Sequence, residues 1–241
     1  MFQMPQQYYL HKEFDVKSII PKGLKYNDKK RMQDNVKQVK LEWQLSGEQV
    51  PSREDDEINC KVIMFFSIEL TSLKHASFIA NLLQHHLKGF VILRLYDNEA
   101  EVYSFAIKRL HATQKDEIVV EELFLTNKLP LVYTHTMKNL LQAYTTYDAV
   151  NNKLDKYNFY LEVATKAFII SHAKSFQQFE QLLNRNQHWL DKNVTKKMLE
   201  SYKSLVELKN MATRQMATNE KIKLNAEIKQ QLTYLNSLLE G

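Results

Sequence analysis

Glycine and proline are scarce in this chain: 241 residues carry four of each, and every proline lies at or before Pro130. Gly23, Gly47 and Gly89 stand far apart, so no glycine-rich loop brings backbone N–H groups up to a phosphate, and the P-loop and dinucleotide fingerprints are excluded. Cysteine is nearly absent. Cys60 alone excludes an intramolecular disulfide framework and a cysteine-rich zinc site, and at the start of an apolar run it reads as a small core hydrophobe. Long apolar runs are missing too. The longest, Val62–Ile68 and Phe90–Leu95, have strand length and fall short of the roughly 18–20 residues that span a bilayer. The opening residues, Met1 to Tyr9, show no basic start, apolar run and cleavage site. The expectation is a cytoplasmic protein that meets no membrane and keeps its thiol reduced.

What is present is an ordinary globular composition, 44% hydrophobic and 25% charged, with a net charge of +5. The charge is uneven. Lys12 to Lys40 holds nine Lys/Arg against four Asp/Glu, whereas Glu48 to Glu57 holds one Arg against five acids. Basic blocks attract phosphate backbones or acidic proteins, although most such runs are solvated helix faces.

Periodicity gives the elements. Residues 27–37 read as a short basic helix, and Val39, Leu41, Trp43 and Leu45 alternate on one face of a strand. Ser46 to Asn59 is an acidic loop and the first place to expect disorder. Lys61 to Leu70 is a near-continuous apolar run, as in a central strand covered on both faces. Phe78, Ile79, Leu82, Leu83 and Leu87 recur at helical spacing before Gly89. Phe90 to Tyr96 and Glu101 to Lys108 form a hairpin, and Glu117 to Leu125 is a further strand.

From Leu131 to Glu240 there is neither glycine nor proline. Leu140, Tyr147, Leu154, Leu161 and Phe168 recur every seven residues, which predicts one long helix over Thr136 to Ser171 with a narrow seam. A shorter helix is expected over Ser175 to Leu190. Thr195 to Leu239 reads as helix with a bend between Lys209 and Asn219, and Leu224, Ile228, Leu232, Leu235 and Leu239 form its stripe. The reading is α+β: a mixed α/β head with an antiparallel hairpin at 1–130, then a coiled-coil-like helical arm at 131–241. Both stripes are candidate interaction seams, for a larger protein or a second copy.

No catalytic cluster emerges. His85 and His86 are adjacent on a helix and diverge, and His75 lies about 16 Å along the axis from His86, too far to share a metal. His111, His135, His172 and His188 stand alone, and no G-x-S-x-G elbow marks a nucleophile. The Glu-x-Lys pairs, Glu207/Lys209 and Glu227/Lys229, fall in the helical tail, while Glu69, Glu101, Glu121 and Glu122 sit on strands without that lysine. No catalytic residue, metal or cofactor is assigned. Lys29, Lys30, Arg31, Lys37 and Lys40 are the candidate nucleic-acid contacts, with Tyr26 and Trp43 near enough to stack.

A basic segment, the strand QVKLEWQLS, an acidic loop, INCKVIMFFSIEL, a helix, GFVILRLYDNEAEVYSFAIKRL, another strand and a helical tail follow in order. Together they resemble the bacterial domain-of-unknown-function 4391 family over residues 10–240. The resemblance implies a bacterial protein encoded near restriction-modification, helicase or antiphage genes, and supplies no catalytic motif. The leading expectation is therefore a non-enzymatic accessory subunit of a DNA-targeting or antiphage complex, bound to a helicase or nuclease subunit or to itself. Direct nucleic-acid binding is the alternative, and a metal-dependent nuclease the third.

Overall fold

The structure is a computed structural model and describes residues 2–114, 117–131, 135–214 and 217–240. Its frame is a mixed sheet ordered β1-β2-β5-β6-β7-β8, built from β1 (Tyr9–Phe14), β2 (Val36–Leu45), β5 (Ile63–Leu70), β6 (Phe90–Tyr96), β7 (Ala100–Leu110) and β8 (Ile118–Leu125). The short β9 (Leu129–Pro130) pairs with β7, and β3 (Arg53–Glu54) with β4 (Asn59–Cys60) makes a separate two-stranded ribbon. Among the described residues only β5 and β6 run parallel, because α3 (Ala76–His86) carries the chain across between them; every other pairing there is antiparallel. The expected order from the Val39 strand through the Glu117–Leu125 strand is found, with β1 added at the edge.

Alternation sorts the side chains of these strands into two cores. Phe66, Ile68 and Leu70, Val91, Leu93 and Leu95, with Val39 and Leu41, pack against α3 and Met32 of α2 (Tyr26–Asn35). Ile63, Phe65, Phe90, Ile92, Tyr103, Phe105 and Ile107 pack against α5 (Lys156–Ser171) on the other face. The four alternating residues of β2 do not share a face: a bulge at Glu42 turns Val39 and Leu41 toward α3 but Trp43 and Leu45 toward α5.

The helix expected over Thr136 to Ser171 is two helices, α4 (Thr136–Tyr144) and α5, with a turn between them. Glycine and proline are not its breakers. The Asp155 carboxylate accepts from Asn158 N at 2.8 Å and starts α5 afresh. Glu162, wholly buried, accepts from the backbone N–H groups of Asn151 and Asn152 and from the Asn151 side chain, so the turn is held from inside. Lys166 lies 2.6 Å from Glu162 and donates to Ala149 O, which satisfies both charges of the pair.

The seven-residue spacing consequently marks different environments. Leu161 and Phe168 lie in the central core, Leu140 and Tyr147 are partly buried against it, and Leu154 sits 73% exposed in the turn. Every residue of α5 is buried, so its stripe belongs to an all-round buried helix, not to a one-sided seam.

Lys156 of α5 donates to Gly47 O and Val50 O and so pins the acidic loop, whose Val50 and Ile58 are buried; the segment expected to be disordered is folded. Two short helices, α6 (Phe179–Asn184) and α7 (Asn186–Trp189), stand where one helix over Ser175 to Leu190 is expected. They lead to α8 (Lys192–Ala212) and α9 (Thr218–Glu240), which break within the expected interval. α9 lies back along α8. Leu224 and Leu235 are buried, while Ile228, Leu232 and Leu239 are partly buried against the central core, so this stripe is engaged within the chain. The remaining helix, α1 (Val16–Ile19), borders β2. No helix among the described residues is long and apolar enough to cross a membrane.

Candidate functional site

The face of the sheet beneath α5 changes character along its strands. Ile63 and Phe65 give way to Ser67 and Glu69 on β5, Phe90 and Ile92 to Arg94 and Tyr96 on β6, and Phe105 and Tyr103 to Glu101 on β7. Period-two spacing thus carries an apolar half-face into a polar one, toward the carboxyl ends of the parallel pair β5 and β6. Crevices at such ends are where open α/β sheets take ligands.

Glu101 is the centre of the polar half. Only 1% of it is exposed. Its Oε2 accepts from Arg94 Nε at 2.6 Å, and its Oε1 lies 3.3 Å from Lys138 Nζ of α4. Arg94 also donates to Ser67 Oγ and stacks on the Tyr96 ring. Burial is the largest single influence and pulls the guanidinium down, but the Glu101 charge and hydrogen bond together with the Tyr103 and Tyr96 phenols outweigh it and hold Arg94 above its usual value. Burial, joined by the Glu101 charge, raises the Tyr103 phenol, which stays protonated. Ser67, Arg94, Glu101 and Lys138 line a hollow of about 290 Å³ floored by Trp43, Phe65 and Tyr103, in which Trp43 and Phe65 lie parallel at 5.3 Å.

The rim is built from two irregularities. β1 is bulged between Tyr9 and Lys12, and His11 there takes φ 47°, a left-handed conformation that costs a non-glycine residue energy. Its Nδ1 lies 3.1 Å from Glu42 Oε2, at the bulge of β2, and its ring stacks on Tyr9. The site therefore offers paired charges around an aromatic floor.

A second opening lies between β6 and β7. Their ladder pairs Tyr96 with Glu101 through Leu93 with Ser104 and then ends. Extending that register would set Val91 opposite Ala106 and Gly89 opposite Lys108, and side chains occupy both places. Tyr160 Oη of α5 accepts from Ala106 N at 2.9 Å and donates to Val91 O at 3.1 Å. Gln84 of α3 donates to Val91 O and Ser104 O from the opposite face. Lys108 Nζ donates to Gly89 O and Leu87 O, at 2.9 and 2.7 Å. Burial pulls the pKa of this lysine down to about 7.

The basic residues singled out in the sequence lie on two successive elements, α2 and β2. Lys29, Lys30 and Arg31 lie on α2, with Arg31 over the Phe78 ring at 3.9 Å. Lys37 pairs with Glu69, and Lys40 alternates with Val39 and Leu41, away from α3. Glu69 thus meets Lys37, Glu101 meets Lys138, Glu121 meets Arg109 and Lys196, and Glu122 meets Lys203. The lysine partners missing from strand-by-strand spacing come from other elements. Glu42, Arg94 and Lys138 escape sequence reasoning because their convergence depends on strand order; the only local signal was the change from apolar to polar at alternate positions of β5, β6 and β7. No group of three or more His, Cys, Asp or Glu placed to hold a metal ion occurs among the described residues.

No curated protein and no solved structure matches the chain. A family model described as "Domain of unknown function (DUF4391)" matches residues 2–235, nearly the full length, in agreement with the resemblance carried by the strand and hairpin segments. On that match the chain belongs to the DUF4391 family.

Proposed function

We propose that this chain is a non-enzymatic accessory subunit of a bacterial DNA-targeting or antiphage complex and that it docks a larger protein, a helicase or nuclease subunit, through the polar half-face. One observation supports the reading: Arg94, stacked on Tyr96, sits in a hollow floored by Trp43 and Tyr103 with its charge countered by Glu101. Arginine, tyrosine and tryptophan dominate the energetic centres of protein interfaces, and charges already paired lose less on desolvation. The α9 stripe is engaged by α8 and the core, so docking through the half-face needs no helix to be released.

The test is recovery of tagged chain from its native cell with the bound proteins identified, comparing the wild type with Arg94→Glu and Lys30→Glu. A helicase or nuclease subunit held by the wild type and by Lys30→Glu, and lost from folded Arg94→Glu, supports the proposal. Identical partners in all three, or none, overturns it, and light scattering on the purified chain reports whether a second copy is the occupant instead.

The second reading is direct nucleic-acid binding through α2, supported by Lys74 and Arg31 lying close enough together to lower the pKa of His75 in addition to burial. Fluorescence anisotropy with duplex and single-stranded DNA decides it. Binding at about 50 mM salt that weakens steeply with added salt and disappears in Lys29→Glu/Lys30→Glu supports it, and binding insensitive to that change rules it out.

A further inference from the structure

We propose that the mouth of the gap between β6 and β7 is a binding site for a terminal phosphate, held by Lys88, Lys61, Arg109 and Lys108. The mouth is a cleft of about 230 Å³ lined by these four cations with Asn59 and Gly89, and among the described residues no acidic side chain lines it. Pockets that enclose a drug-sized molecule run to about 300–1,000 Å³, so this one fits a small anionic head with the rest of its carrier outside.

The donors are arranged in two tiers. Lys88, following α3, is exposed at the entrance. Lys61 and Arg109 each hold an acid outside the lining, Glu54 at 2.8 Å and Glu121 at 3.0 Å, and can exchange it for an incoming anion. Lys108 stands at the back, 1% exposed. An ammonium has three N–H donors, and Leu87 O and Gly89 O take two of them. An anion in the cleft supplies the third acceptor and a countercharge for a buried ammonium that has no acidic partner among the described residues. The histidines nearest in sequence to this end of α3, His85 and His86, turn their Nδ1 atoms to Asn81 O and Leu82 O. Since burial holds Lys108 near neutrality, a bound anion draws a proton onto it, and binding strengthens as pH falls through about 7.

Titration calorimetry of the full chain with inorganic phosphate tests the site. Sulfate, run at several pH values, serves as an anion that does not itself titrate there. Expected are saturable binding of both, proton uptake seen as a heat that depends on the buffer, and sulfate affinity that falls as pH rises. Lys88→Glu, at an exposed position, should weaken binding about tenfold or more, equivalent to about 1.4 kcal/mol. Lys108→Met should abolish the proton uptake that accompanies sulfate binding. An oligonucleotide carrying a 5′-phosphate, set against the same strand with a 5′-hydroxyl, identifies the source. Displacement of phosphate by the first alone points to a nucleic-acid end, and displacement by neither points to a free phosphate or small phosphoester. No binding of either anion, or binding unchanged in Lys88→Glu, overturns the proposal.

Discussion

Taking away the Glu162 carboxylate strands four donors together: the N–H groups of Asn151 and Asn152, the Asn151 amide and the Lys166 ammonium. Removing one partner of a buried pair costs about 3–5 kcal/mol, whereas replacing both by apolar groups is often nearly neutral. Urea unfolding should therefore show Glu162→Ala losing several times more stability than Glu162→Met/Lys166→Met; equal losses would mean that the turn is held by other contacts. Lys108 gives a second test at this scale. Its pKa is about 7 when folded and about 10.5 when unfolded, so between those values the unfolded chain binds the extra proton. Stability should rise with pH across that window, the contribution being smallest below about 7, and the rise should be reduced in Lys108→Met. A flat difference between the two proteins from pH 7 to 10 would contradict the burial of the charged form.

The helices of the second half show how far a sequence pattern reaches. Leu154 and Leu161 occupy equivalent places in the seven-residue repeat, yet one is exposed in a turn and the other is in the core. Leu161→Ala should cost about 2–5 kcal/mol and Leu154→Ala less than about 0.5, measured by chemical unfolding. Comparable losses would restore the continuous helix. The strands, the crossover helix and the β6–β7 hairpin were legible because hydrophobic alternation and Gly89 mark them directly. The break after Tyr144 was not, because Asp155, which caps α5, is one acid among many in the sequence, and the hold of Asn151 and Asn152 on the turn becomes visible only once Glu162 is seen to accept their N–H groups. β1 was missed for a related reason. It is an irregular edge strand whose bulge at His11 disturbs the alternation. Of the polar half-face, Glu101 was noticed as an acid without a lysine; that lysine is Lys138, in a helix distant in sequence.

At the scale of the molecule, one apolar cluster contains Phe2 and Phe65 from the first half and Tyr160, Tyr202 and Leu235 from the second. α5 buries its whole circumference in that cluster, so the sheet and the helical half share their main core. The full chain should unfold in a single cooperative step by heat, with circular dichroism and tryptophan fluorescence giving the same midpoint. A fragment of residues 1–130 should fail to reach a native fold, since Phe65, Ile92 and Phe105 would lose their cover. Separate transitions, or a well-folded fragment, would show the halves to be independent. The parting of β6 from β7 has a consequence for how such a protein diversifies. Main-chain pairing is the same for every sequence, but here Tyr160, Gln84 and Lys108 span the gap in its place, and each can be replaced by a single codon change. The aperture is thus under genetic control while the strand order stays untouched, and relatives with other residues at these three places should show mouths of other widths and charge.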